Sequence, residues 1–179
     1  MKRTPFADWP CSIARTVDLL GDWWTPLVLR EAYYGVRRFD EFQRVLRIGR
    51  NVLTQRLARL TDEGLFERVA YQDKPARYEY VLTEKGRDVF PVLLAMTRWG
   101  DRWLAPEAGP PVLLRHTACG HETHAEMVCA HCGEQLAMDE VVPRFGPGYP
   151  ARLRERPEIR ARFDKRTDEG SESGRSIAP

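Results

Sequence analysis

Apolar residues recur along the first hundred positions with a helical period, then an extended one, then a helical one again. Ile13, Val17 and Leu20 fall at i, i+4 and i+7, which predicts an amphipathic helix from Ser12 to Leu20, closed by Gly21. Thr25-Pro26 restarts a helix that Gly35 ends. The threonine is expected to cap the free amides, and proline at the first helical position forfeits only an N–H that has no partner there. Phe39, Phe42 and Leu46 continue helical spacing up to Arg47-Ile48-Gly49. A fourth helix, from about Asn51 to Gly64, carries Leu53, Leu57 and Leu60 on one face, while Asn51, Thr54, Gln55, Arg56 and Arg59 project elsewhere. Leu65 to Tyr71 and Arg77 to Leu82 are rich in β-branched and aromatic residues and predict a hairpin turning through Gln72 to Ala76. Thr83 then caps a long predicted helix from Glu84 to about Leu104. Phe90, Leu93, Met96, Trp99 and Trp103 form its apolar surface, and Pro91 is expected to kink it.

Two short helices around a glycine-containing turn, the second with one leucine face and one face of amide, hydroxyl and guanidinium groups, make a helix-turn-helix pattern. At ~1.5 Å per residue the second helix is about 20 Å long, enough to lie in a DNA major groove. The hairpin that follows without delay, with Lys74 and Arg77 at its tip, reads as a wing able to reach a phosphate backbone. The expected fold is therefore mainly α with a small β wing.

A length of 179 residues suits one ordinary domain with an appendage and excludes the large barrel enzymes. Hydrophobic residues at 42% and charged residues at 30% describe a soluble globular chain. The longest apolar stretch, Val89 to Met96, is too short to span a bilayer, and MKRTPFADWP lacks the apolar run of a signal peptide. No membrane partner and a cytoplasmic location are expected. The net charge of +2 is unevenly spread: Arg37 to Arg59 holds seven arginines against Asp40 and Glu41. From Pro110 to Val142, Arg115 faces five acids. An anionic polymer such as double-stranded DNA would be drawn to the first stretch and repelled by the second.

The chemistry of the first stretch suits DNA. Arg50 and Arg56 are able to donate paired hydrogen bonds to a guanine edge or to hold a phosphate; Asn51 and Gln55 suit adenine, and Thr54 suits either. With Arg59 and the wing residues Lys74 and Arg77, these are the candidate DNA contacts. The Met96, Trp99 and Trp103 stripe is large for the edge of so small a core, which suggests burial against a second chain.

The blocks CSIARTVDLLGDWWTPLVLR, RRFDEFQRVL, NVLTQRLARL, RYEYVLTEKG and WGDRWL, in that order over residues 11–105, resemble the HxlR-type transcription regulators, winged helix-turn-helix proteins related to the MarR group. The resemblance implies a homodimeric DNA-binding regulator joined by its first and last helices, with Asn51 to Glu63 as recognition helix and Leu65 to Leu82 as wing. It also implies a role for Cys11, because some HxlR-type regulators use a cysteine there to sense oxidants or electrophiles. A helix start favours the thiolate independently. An oxidant or an unknown small molecule is thus a candidate effector.

Three further cysteines crowd RHTACGHETHAEMVCAHCGEQL. His116-Thr117-Ala118-Cys119-Gly120 and Cys129-Ala130-His131-Cys132-Gly133 repeat one device: ligand, two spacers, ligand, glycine. Together they offer Cys3His to a tetrahedral metal, and zinc is the expected occupant of a structural, zinc-ribbon-like module. His121, His124 and His131 compete with His116 for the fourth place. A cytoplasmic CxxC without metal is the simpler alternative. His124-Ala125-Glu126 and the following CxxC superficially match the H-x-E and C-x-x-C parts of a zinc deaminase, but two residues between Glu126 and Cys129 leave no room for the intervening structure. A four-ligand site also leaves no position for a substrate water, so no enzyme is expected.

The expected organisation is a DNA-binding and dimerisation domain over residues 1–105, a zinc-knuckle-like module over 110–142 and a flexible charged tail over 143–179. An adaptor that binds protein or RNA through the zinc module is the alternative function. The arginines gathered around the fourth helix argue against it.

Overall fold

The computed structural model describes Phe6 and residues 8–169, with side chains to residue 164; the remaining tail to Pro179 lies outside the described residues. Its contacts divide the chain into two compact units, one of Thr16–Ala125 and one of the residues up to Arg15 together with those from Glu126 onward.

The larger unit is built on the predicted helices. After α1 (Ser12–Leu20) comes α2 (Thr25–Tyr33), and its start corrects the expectation for Thr25. Thr25 is buried and already helical, and the capping oxygens belong to Asp22. The Asp22 carboxylate accepts from the Trp24 amide at 2.9 Å, the Thr25 amide at 3.0 Å and the Thr25 hydroxyl. A carboxylate satisfies several of the orphan donors at once, where a hydroxyl satisfies one. α3 (Phe39–Leu46) and α4 (Arg50–Asp62) are joined by Arg47-Ile48-Gly49. Arg47 takes a left-handed conformation at φ 50°, and Ile48 is driven into the core at 2% exposure, so one turn residue reverses the chain and the next anchors it.

The core gathers Val28 and Leu29 of α2, Phe42 of α3, Leu53, Leu57 and Leu60 of α4, and the adjoining Leu65 and Phe66. Each such burial contributes roughly 1.5–3 kcal/mol. Phe66 opens the wing, an antiparallel pair of β1 (Phe66–Asp73) and β2 (Ala76–Leu82) registered from Phe66 opposite Leu82 to Asp73 opposite Ala76. The register shifts between Ala70 and Gln72, leaving Tyr71 as an extra residue.

Beyond the wing, Thr83 accepts from the Gly86 amide at 3.0 Å and caps a helix as expected, but the single long helix is corrected to two. α5 (Glu84–Arg87) stops after one turn, and α6 (Phe90–Trp103) begins with Pro91 in its first turn. Proline there removes no hydrogen bond, so the chain breaks before it and avoids a kink around it. α5 approaches Leu65, just before β1, so closely that a Cβ on Gly86 would lie 2.2 Å from the Leu65 carbonyl oxygen, which requires glycine. The Tyr33 hydroxyl donates to the Gly86 carbonyl at 2.6 Å and fixes α5 on α2. A short hairpin, β3 (Leu114–Arg115) with β4 (Glu122–Thr123), completes the unit.

In the smaller unit, the stretch 143–169 of the expected tail holds α7 (Ala151–Arg154) and α8 (Pro157–Glu169). The Phe145 ring stands 4.9 Å from Tyr149 and 4.0 Å from Phe163 of α8. These three aromatics were the anchors hidden in a charged composition. The rest of the expected tail, residues 170–179, lies outside the described residues. No helix among the described residues is long and apolar enough to cross a membrane.

Candidate nucleic-acid interface

With its leucines buried, α4 turns Arg50, Asn51, Thr54 and Gln55 outward, all exposed. The Thr54 hydroxyl donates to the Arg50 carbonyl at 2.9 Å, which holds that side chain along the helix. The Arg50 guanidinium lies 5.3 Å from the centre of the Phe39 ring. Arg50 and the wing residue Arg77 line one recess of about 420 Å³ with Tyr71, Tyr78 and Tyr80, beside Asp40. Lys74 stands exposed at the wing tip.

Arg56 and Arg59, expected on that same face, are placed elsewhere. At about 100° per residue, Arg56 lies some 240° round the helix from Arg50, next to the leucines. Its Nε is 2.9 Å from the Asp22 carboxylate, both side chains half-buried, and the angle is not that of a hydrogen bond. Arg59 donates to the Asp18 carbonyl at 2.7 Å and sits 3.8 Å from its carboxylate. Arg59 ties α4 to α1, and Arg56 ties it to the turn between α1 and α2. Burial pushes the Asp22 carboxyl up, but the Thr25 hydroxyl, the Trp24 and Thr25 amides and the Arg56 charge outweigh it and hold it below its ordinary value of 3.8.

Sequence reasoning missed the residues that fix the wing. Arg38 pairs with Glu79 at 3.1 Å and stacks 4.4 Å from the Tyr71 ring, while the Arg37 carbonyl accepts from the Tyr80 amide at 2.8 Å. Arg68 stacks 4.0 Å from Tyr78. The recurrence of arginine with tyrosine in Arg68-Val69-Ala70-Tyr71 and Arg77-Tyr78-Glu79-Tyr80 was the available signal. The helix-turn-helix is thus joined to its wing through Arg37 and Arg38 on one side and Glu79 and Tyr80 on the other, and the two present amide, hydroxyl and guanidinium groups.

The sequence profile of the HxlR-like helix-turn-helix family matches residues 19–108. The chain belongs to that family. Among its relatives is the uncharacterised HTH-type transcriptional regulator Rv3095 of Mycobacterium tuberculosis, 46% identical over 142 residues, covering 79% of this chain and 90% of the relative. Among solved structures, the candidate transcription factor PA1607 superposes with a TM-score of 0.71 at 31% identity over 80% of this chain and 99% of its own. PA1374 of Pseudomonas aeruginosa, also a candidate transcription factor, gives 0.59 at 38% identity over 80% and 98%. The HxlR-like family is one of transcription regulators and not of enzymes.

The matched HxlR-like segment holds α2 to α6 and ends before β3, so the cysteine-rich turns lie outside it. Each turn, taken by itself, has the same internal wiring. In the first, the His116 amide donates to the His121 carbonyl at 2.9 Å and the Gly120 amide to the His116 carbonyl at 2.7 Å. In the second, the Cys129 amide donates to Glu134 at 2.8 Å and the Gly133 amide to Cys129 at 2.9 Å. Gly120 at φ 76° and Gly133 at φ 79° occupy the left-handed region that favours glycine. His116 Nδ1 and Cys119 Sγ are 3.4 Å apart. The Cys132 and His131 amides and the Cys132 thiol hold the Cys129 thiol below its ordinary value. Among the described residues, no three His, Cys, Asp or Glu side chains are gathered as a metal cage. Cys11 is a free, exposed thiol bordering a recess of about 350 Å³ with Arg15, Arg144, Tyr149 and Phe163.

Proposed function

We propose that this protein is a sequence-specific DNA-binding transcription regulator that acts as a homodimer. The observation that carries the reading is the outward face of α4: Asn51 and Gln55 for base edges, Arg50 at the helix start, and a wing offering Lys74 and Arg77 to phosphates. Dimerisation is supported by α6, whose Val92, Met96, Trp99 and Trp103 lie 41–63% exposed in a single chain. That stripe is more apolar surface than a monomer ordinarily leaves to water. Two copies of α4 would then read half-sites about 34 Å apart. Selection of bound genomic fragments should return an inverted repeat with that spacing. Equal affinity for selected and random duplexes at fixed salt would overturn the reading.

Two finer assignments accompany it. His116, Cys119, Cys129 and Cys132 are assigned to one structural zinc ion, supported by the donor set and by two turns of identical hydrogen bonding. When bound, zinc supplies a cross-link and no reactivity. Elemental analysis should find one zinc per chain, lost in Cys132→Ser; metal-free protein with unaltered melting would overturn the assignment. Cys11 is assigned as the point at which an oxidant alters DNA affinity. Cys11→Ser should abolish that response, and an unchanged response would remove the assignment.

A further inference from the structure

The front of α6 is the exposed apolar stripe of Val92, Met96, Trp99 and Trp103, and Leu93 packs on the core. At about 100° per residue, Leu94, Thr97 and Asp101 fall on the side opposite the stripe. They form one wall of a cavity of about 460 Å³. The other wall comes from residues 110–125, which belong to the same compact unit and lie beyond the matched family segment.

The charged groups of this lining answer one another. Arg98 donates to the Ala125 carbonyl at 2.8 Å and is engaged in further interactions. The Arg102 guanidinium lies 4.9 Å from the centre of the Trp103 ring. Asp101 and Glu122 match the two arginines, so with His124 neutral the lining has no net charge. An ion entering it would give up its hydration and meet no unmatched charge in return. The rest of the surface suits an uncharged body. Leu94, Pro110, Val112, Leu113 and Leu114 are apolar, and Val112 and Leu113 stand 48% and 62% exposed, so an occupant removes their surface from water. Among the described residues the Thr97 hydroxyl has no hydrogen-bond partner, which leaves one neutral donor and acceptor on the α6 wall.

We propose that this cavity binds a small neutral ring compound with a single hydrogen-bonding group, its rings on the apolar residues of both walls and its polar group at Thr97. The volume falls within the ~300–1,000 Å³ of small-molecule sites. Such a compound is then a signal that alters DNA affinity. That consequence rests on the regulator reading; the binding does not.

The probe is N-phenyl-1-naphthylamine, a neutral ring system with one N–H, titrated into the full-length protein and excited directly. We expect saturable binding at one per chain, weakened about tenfold or more by Thr97→Trp and by Val112→Trp, which fill the cavity from opposite walls. Circular dichroism melts identify any variant that fails to fold, and the second variant then carries the test. Thr97→Val keeps the shape without the hydroxyl and should weaken the probe about threefold. Met96→Ser, on the front of α6, should bind as the wild type does. The sulfonated analogue 8-anilinonaphthalene-1-sulfonate should bind the cavity at least about tenfold more weakly than the probe. Unaltered binding in both tryptophan variants, or loss of binding in Met96→Ser, would overturn the site. An equal or tighter sulfonate, displaced by the same tryptophan variants, would overturn the neutral ligand, and unaltered binding in Thr97→Val would overturn its polar contact. Anisotropy with a selected duplex separates the two ideas: saturating probe that binds the cavity and leaves DNA affinity unchanged retains the site and refutes the signal.

Discussion

α4 and α6 carry the same kind of apolar stripe and meet different fates. In α4, Leu53, Leu57 and Leu60 are at most 1% exposed, covered by α2, α3 and β1 of their own chain. In α6, Met96, Trp99 and Trp103 are at least 53% exposed. A hydrophobic stripe specifies that a surface will be covered, and the residues opposite decide by what. The comparison breaks most sharply at its centres. Leu57→Ala should cost about 2–5 kcal/mol in denaturant unfolding, independent of protein concentration. Trp99→Ser should leave the fold of the single chain and weaken self-association by about 2 kcal/mol, roughly thirtyfold, in sedimentation equilibrium. If Trp99→Ser instead unfolded the protein as Leu57→Ala does, at every concentration, α6 would be core and the contrast would be lost.

The same helix sharpens the contrast between outward and inward polar groups. Gln55→Ala should lose about 1–3 kcal/mol of affinity for a selected duplex while leaving random duplex binding unchanged, measured by competition at fixed salt. Asp22→Asn acts from the inward side: asparagine keeps an oxygen for the α2 amides but loses the negative charge that faces Arg56. We expect a loss of about 0.5–1 kcal/mol at pH 7. Because the folded carboxyl titrates below 3.8, its stabilisation is complete above that pH and fades as pH falls through the lower folded value. The wild-type and Asp22→Asn unfolding curves should therefore converge below pH 3.8. A gap that persisted in acid would assign the effect to something other than the charge.

What the sequence made legible divides along the same line. The period of Leu53, Leu57 and Leu60, the glycine-bounded turn and the switch to an extended period were local patterns, and the helices and wing followed from them. Placing Arg56 required its angle round the helix relative to Leu60, which was present in the sequence and was lost by grouping it with Asn51 on polarity alone; Arg59 falls within about 40° of Gln55, and its placement comes from the distant Asp18. Asp22 was legible as a cap too, since its hydrogen bonds reach only two and three residues along the chain, and reading the cap at Thr25 passed over it. The break before Pro91 was a matter of local chemistry: proline belongs in a first turn more readily than two turns in. The Phe145, Tyr149 and Phe163 cluster pairs residues eighteen apart across a charge-rich stretch, a separation no short window detects.

The smallest expected effect tests the outer limit of the interface. Lys74 is exposed at the wing tip with no base-reading geometry of its own, so its contribution to DNA binding should be one released counterion. Lys74→Ala should weaken selected and random duplexes alike and reduce the slope of log affinity against log salt by about 1. Gln55→Ala should leave that slope alone. Fluorescence anisotropy across a salt series distinguishes the two. A Lys74→Ala variant that lost discrimination while keeping its slope would move base reading from α4 to the wing, and the outward face of α4 would no longer carry the specificity.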